Sequence, residues 1–208
     1  MNMLNDRVHA KQDATLLFEV LCQEVAVRHW GGPSPFVKAF IFGTARADEA
    51  SDDDEIDETG FKASVDQLCK ELGEGIQYSP PEDGYRITAR DGKLDVVVWR
   101  RFADKRSGQL IGFGQCKTGT HWKTGLSQLR PEDFADKWFL QRPAVIPIRL
   151  YFVADRVTTH WYDACKDGGI VFDRCRIMEH AIDLPGELVD RLRKWVDAAM
   201  ETQGLQHP

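Results

Sequence analysis

Apolar positions recur along this chain with two periods, and the alternation between them predicts strands and helices in one mixed α/β layer. From about 12 to 28, Phe18, Leu21, Cys22, Val25 and Ala26 fall at spacings of 0, 3, 4, 7 and 8, one face of a helix. Gly31-Gly32-Pro33 ends it. The stretch 36–42 fits an extended segment or a helical turn equally. Phe61, Val65, Leu68, Cys69 and Leu72 predict a second helix over 61–72, stopped by Gly73 and Gly75. Residues 80–84 read as loop and 85–89 as a short strand.

The centre carries the strongest strand signal. Leu94, Val96, Val97, Val98 and Trp99 surround a lone Asp95 in a run that fits a strand buried on both faces. The polar stretch 100–108 suits a turn and 110–116 a returning strand, so the two form a hairpin. A loop and a largely helical region follow over 119–139, interrupted near Pro131. Residues 144–154 predict a third strand, in which Pro147 indicates an edge or a bulge. A helix over 158–166, a short strand over 169–172 and a final helix over 186–200 on Leu188, Leu192, Trp195 and Ala199 complete the pattern. The expectation is one domain over 1–208, with a mixed central sheet flanked by helices.

Charge changes the picture locally. The 208 residues carry a net charge of −6, which argues against a polyanionic partner until its distribution is considered. Eight acidic residues fall between Asp48 and Glu58; without them 25 acidic residues face 27 basic ones, a net of +2. The segment 46–58 is expected to be a solvated acidic loop, and it lacks the D-x-D-x-D-G spacing of a calcium loop. A nucleic-acid partner therefore stays open. No apolar run reaches the roughly 18 residues of a membrane span, and residues 1–7 lack an apolar signal core. The expected location is cytoplasmic. Five cysteines without a CxxC pair predict reduced thiols rather than a disulfide framework, and the six histidines lack zinc-ligand spacing.

An aspartate inside a run of valines is costly unless it is paired or bound to a metal. Gln115 and Lys117 alternate with Cys116, so they share one strand face while Cys116 turns to the core. A hairpin brings Asp95, Gln115 and Lys117 together. Asp95 and the Gln115 amide oxygen are suitable ligands for Mg²⁺ or Mn²⁺, and Lys117 for orienting a nucleophile or meeting developing charge. Spacing alone leaves a turn aspartate and a strand-end lysine as an equal alternative. A nucleophilic role for Cys116 beside His121 lacks a third, orienting group.

The stretch DGKLDVVVWRR…GFGQCKTG resembles the core of the PD-(D/E)XK nuclease superfamily in its Q-x-K variant. The likeness of arrangement covers roughly 60–155, while the motif rests on few positions. It implies a restriction endonuclease-like fold and a metal-dependent endonuclease acting on DNA, with a role in restriction or anti-phage defence. Asp95, Gln115 and Lys117 would be its catalytic set, with Asp95 and Gln115 on the metal. Because Gln115 stands where an acid is usual, a glutamate from a helix is implied. Phe18-Glu19 fits that pattern, so Glu19 is the choice over Glu24 and Glu71. Arg100, Arg101 and Lys123 are the leading phosphate contacts, with Lys105, Arg106, Arg130 and Lys137 as lesser ones. Trp122 suits stacking on a base or packing in the core, and Asp173-Arg174 an ion pair supporting the core. A homodimer or a partner protein fits the small size. The alternative is a nuclease fold without activity, serving as a DNA-binding or assembly subunit.

Overall fold

The computed structural model describes residues 7–42, 58–80 and 93–204. A two-residue hairpin, β1 (Val8–His9) and β2 (Gln12–Asp13), leads into helix α1 (Ala14–His29), then β3 (Val37–Ile41) and α2 (Glu58–Leu72). Strands β4 (Val96–Arg100) and β5 (Leu110–Lys117) come next, followed by a 3₁₀ turn (Trp122–Gly125) and α3 (Pro131–Trp138). The chain finishes with β6 (Ile148–Val153), α4 (Trp161–Gly168), β7 (Ile170–Phe172), α5 (Arg174–His180) and α6 (Gly186–Thr202). The sheet order is β3-β4-β5-β6-β7. Its first three strands are antiparallel, and β5, β6 and β7 are parallel. Parallel neighbours need a crossover, and α3 and α4 supply the two.

Strand alternation divides the core. Val97, Trp99, Ile111 and Phe113 face α2 and α3, meeting Phe61, Leu68, Phe134 and Trp138. Val96, Val98, Leu150 and Phe152 face α1 and α5, meeting Cys22, Val25, Ala26 and Ile177. A third group, Trp122, Tyr151, Val153 and Ala164, lies by α4 and the 3₁₀ turn. Two glycines of β5 let the second layer close. A Cβ on Gly112 would come within 2.8 Å of the Trp30 ring, and one on Gly114 within 2.9 Å of the Phe152 ring.

The expected mixed sheet with flanking helices is present, and the stretch 36–42 resolves as strand β3. Several local expectations are corrected. Pro131 does not interrupt a helix: it occupies the first turn of α3, where its missing N–H costs nothing, and only a 3₁₀ turn precedes it. Pro147 marks no edge, because it precedes β6, which lies between β5 and β7. Asp13 caps α1 through Thr15 N–H at 2.8 Å, so the helix starts after Gln12. Asp173 and Arg174 form no ion pair with each other. The Asp173 carboxylate caps α5 and the Arg174 Nε donates to the Ala154 carbonyl at 3.0 Å. Of the residues expected to bury α6, Leu188 is buried and Leu192, Trp195 and Ala199 are half-buried. Residues 46–57 of the acidic segment and the strand expected over 85–89 lie outside the described residues; Glu58 opens α2. Among the described residues no helix is long and apolar enough to cross a membrane.

A buried carboxylate that the pattern did not mark holds the far end of the hairpin. Glu74 accepts from the Gly108 N–H at 3.1 Å, from the Gln109 side chain at 3.0 Å and from the Ala144 N–H at 2.9 Å. Truncation takes the acceptor from the buried Gln109, at about 1–3 kcal/mol for each buried group left unpaired, and from the more accessible Gly108 and Ala144 N–H groups. The Glu74→Ala chain is expected to lose about 3 kcal/mol of stability in urea unfolding, with Glu74→Gln losing less.

Candidate metal and phosphate site

The site begins where β4 and β5 part. Their antiparallel ladder ends at Val96↔Gly114, while β5 continues along β6 as Gln115↔Tyr151, Cys116↔Phe152 and Lys117↔Val153. Asp95 stands at the fork. Its N–H donates to the Gly114 carbonyl at 2.9 Å, and its carbonyl accepts from the Phe42 N–H at 2.8 Å. Its Oδ2 accepts from the Cys116 N–H at 2.6 Å. The carboxylate thus serves the peptide group that the departing strand leaves behind. A charge-assisted bond of this kind is stronger than a neutral one.

Gln115 stands opposite Asp95, one step beyond the last ladder pair. It is 1% exposed. Its Nε2 donates to Gln128 Oε1 at 3.3 Å, and its Oε1 is buried without a hydrogen-bond partner. Gln128 is set in turn by its own N–H, which donates to the Gly125 carbonyl at 3.1 Å. Lys117 is half-buried on the same strand face. A Cβ on Gly125 would meet the Tyr151 hydroxyl at 2.8 Å, Lys117 Cε at 3.3 Å and Gln128 Oε1 at 3.4 Å. Glycine there lets the three groups converge. The Tyr151 hydroxyl donates to the Trp122 carbonyl at 2.6 Å, pinning the 3₁₀ turn as one wall.

The three glutamates separate clearly. Glu24 pairs with Arg28 at 2.5 Å, and Glu71 is exposed on α2. Glu19 is buried on α1, one turn before Cys22. The thiols of Cys22 and Cys116 are hydrogen-bonded to each other, and burial pushes both upward; the charges of Asp95 and Glu19 push the same way. Burial likewise raises the Tyr151 phenol, with Asp95 adding to it. The charge of Asp95 is therefore felt on both faces of the sheet. Glu19 approaches from the α1 side, whereas Gln115 and Lys117 face the 3₁₀ turn. The fold brings Asp95, Gln115 and Lys117 to one end of the hairpin, with Glu19 on the helix packed behind Cys116.

The expected phosphate contacts are divided. Arg100 and Arg101 line a pocket of about 530 Å³ with Phe36, Phe102 and Val145 at the other end of the hairpin. Arg100 is five residues from Asp95, about 16 Å at the usual strand rise, and its Nη1 donates to the Trp30 carbonyl at 3.0 Å. Lys123 lies at the site end, its ammonium 5.6 Å from the Trp122 ring centre. Trp122 itself is 4% exposed and packs in the core, which removes it from stacking on a base. Among the remaining cations, Arg106 meets Asp104 at 4.0 Å, Arg130 meets Asp133 at 3.8 Å, and Lys137 covers the Trp138 ring. Lys105 is exposed in the turn beyond Arg101.

Sequence reasoning missed Gly125, Gln128 and Tyr151. Gln128 is brought to Gln115 by a turn of the chain that no period reports. Among the described residues no three histidine, cysteine, aspartate or glutamate side chains gather as a metal-ion site. The candidate donors stand on two sides of the sheet: Gln115 and Lys117 face the 3₁₀ turn, and Glu19 lies on α1, behind Cys116. No protein family, curated protein or solved structure matches the chain in comparisons of sequence and fold.

The buried thiols generate a direct expectation. Cys22 and Cys116 are buried and Cys175 is exposed. With an aromatic disulfide reagent at about pH 8, near the ordinary thiol range, Cys175 should react at once. Cys22 and Cys116 should react only after denaturant is added; rapid native-state modification of either would contradict the packing described.

Proposed function

We propose that this chain is a divalent-metal-dependent nuclease of the PD-(D/E)XK type, hydrolysing phosphodiester bonds of DNA. The observation that carries the reading is the Gln115 amide oxygen, a buried acceptor without a partner, opposite the aspartate that leads into β4 and two residues before a lysine. Leaving such an acceptor unsatisfied costs about 1–3 kcal/mol, which a bound cation offsets. Hard oxygen donors suit Mg²⁺ or Mn²⁺. The residues present fit that ion: Asp95 and Gln115 would hold it, with Glu19 the candidate third donor. When bound, it supplies Lewis acidity to a phosphoryl oxygen and lowers the pKa of water.

The protein's own groups have separable tasks. Asp95 binds, while its bond to the Cys116 peptide fixes where the carboxylate sits. Gln128 holds the Gln115 nitrogen, so the amide oxygen is the atom left for a ligand. Lys117 supplies a positive donor for a phosphate oxygen or the attacking water, and meets charge as it develops. The order of elements supports the same reading: a helix, an antiparallel hairpin bearing Asp95 and Q-x-K, a helix, then a parallel strand. A restriction or defence role follows from the family resemblance, and double-strand cutting by so small a site would favour a homodimer or a partner protein.

A second reading, a DNA-binding or assembly subunit without catalysis, draws on two facts. Asp95 Oδ2 is already engaged by a peptide N–H, and an amide stands in place of the second strand acid. Calorimetric titration with Mn²⁺ and a plasmid-nicking assay separate the two. The nuclease reading expects one Mn²⁺ site that Asp95→Ala abolishes together with nicking. It expects Lys117→Ala to retain the ion and lose about 100-fold or more in rate. Nicking by Lys117→Ala at the wild-type rate refutes the assignment, and the absence of an Asp95-dependent site favours the non-catalytic subunit.

A further inference from the structure

We infer that the phosphodiester backbone of DNA is held along the carboxyl ends of β5, β6 and β7, by Lys123, Arg156 and Arg174. This rests on the nuclease reading for the choice of DNA, and on separate residues for the surface. In open α/β sheets the loops leaving the carboxyl ends of parallel strands are where ligands are received, since side chains and peptide groups converge there. Three such ends lie side by side. Lys117 closes β5, the 154–160 loop follows β6, and Asp173-Arg174 follows β7. The outer ends are two strand spacings apart, about 10 Å.

The cations on this edge, Lys123, Arg156 and Arg174, are exposed and form no ion pair among the described residues. Arg174 is anchored through Nε to the Ala154 carbonyl at 3.0 Å, so its guanidinium is positioned beside the β6 loop. Arg156 is exposed in that loop, and neither arginine has a carboxylate partner among the described residues. The nearby acids are held by hydrogen bonds to the local backbone or by a neighbouring histidine, away from these arginines. Asp155 accepts from the Arg156 N–H at 2.7 Å, and Asp173 caps α5 while accepting from Val157 N–H at 3.1 Å. Asp163 lies 3.8 Å from His160 Nδ1. Lys123 stands on the opposite flank, in the turn that walls Lys117. A strand of regularly spaced phosphates laid across this edge meets cations on either side of Lys117. The arginines at the far end of the hairpin, Arg100 and Arg101, face an apolar pocket instead.

The experiment measures fluorescence anisotropy of a labelled DNA duplex without divalent metal, across a salt series, with an RNA duplex of the same length as competitor. Wild type and Asp95→Ala should both bind. In the double variant Arg156→Ala/Arg174→Ala, affinity should fall about tenfold or more at low salt. Its log–log salt slope should be shallower by about 2, one for each lost phosphate contact. Arg156→Glu alone, at an exposed loop position, should weaken binding without altering the circular dichroism spectrum, which removes misfolding as a cause. Arg100→Ala/Arg101→Ala should bind as wild type does. Unchanged binding and slope in the Arg156/Arg174 variants overturns the surface, even if nicking proceeds. A loss confined to the Arg100/Arg101 variant, or preferential binding of the RNA, overturns it too. Retained duplex binding with no nicking would instead remove the nuclease reading and leave this surface in place.

Discussion

The bond from the Cys116 peptide to the Asp95 carboxylate is the constraint on which the rest of the site depends. Strand β5 has an antiparallel neighbour for its first part and a parallel one for its last. Where it leaves β4, its peptide groups on that side need an acceptor that the backbone no longer supplies. Asp95 provides one from the chain just before β4. The requirement is for a short, anionic, acceptor-only side chain at the fork of two strands. Oxygen atoms brought there for the sheet's sake are also the atoms a hard cation would use, so stability and proposed chemistry converge on one residue.

The two faces of the sheet contribute different things to that fork. The face under α1 carries an apolar cluster, and the two thiols bonded to each other, Cys22 and Cys116, lie within it. The opposite face is interrupted between two apolar clusters, and Gln115, Gln128 and Lys117 occupy the interruption beside the Tyr151 hydroxyl. Charge near Asp95 is accordingly framed by burial on one side and by a hydrogen-bonded polar wall on the other. Fields act more strongly across such a poorly solvated boundary than they do in water.

Much of this was legible in the residues themselves. The run Leu94–Trp99 and the alternation of Gln115, Cys116 and Lys117 defined the hairpin and the facing of its side chains. The burial of Phe61, Val65, Leu68, Cys69 and Leu72 followed the helical period. The failures have physical reasons. Pro131 suggests an interruption and Pro147 an edge or a bulge, but Pro131 opens α3 and Pro147 lies just before β6, where a missing N–H is harmless. Helix α1 is buried beyond one stripe, with Leu17 and Glu19 buried as well as Cys22 and Val25, so its pattern could not rank its glutamates. The short α5 has too few residues to show a period. Gln128 and Tyr151 join the site through a turn and a parallel pairing, both of which are long-range facts.

The glycines of β5 have a consequence that reaches past packing. Gly112 and Gly114 face the α1 layer, and the rings of Trp30 and Phe152 lie where their side chains would be. Gly112 acts as a depth gauge, since the Trp30 ring at the end of α1 sits where its methyl would be, while Gly114 makes room for the Phe152 ring of the neighbouring strand β6. Glu19 rides on the same helix as the residues that settle into this depression. A single methyl added at Gly112 would press on the Trp30 ring at the carboxyl end of α1, the helix that carries Glu19 nearer its amino end.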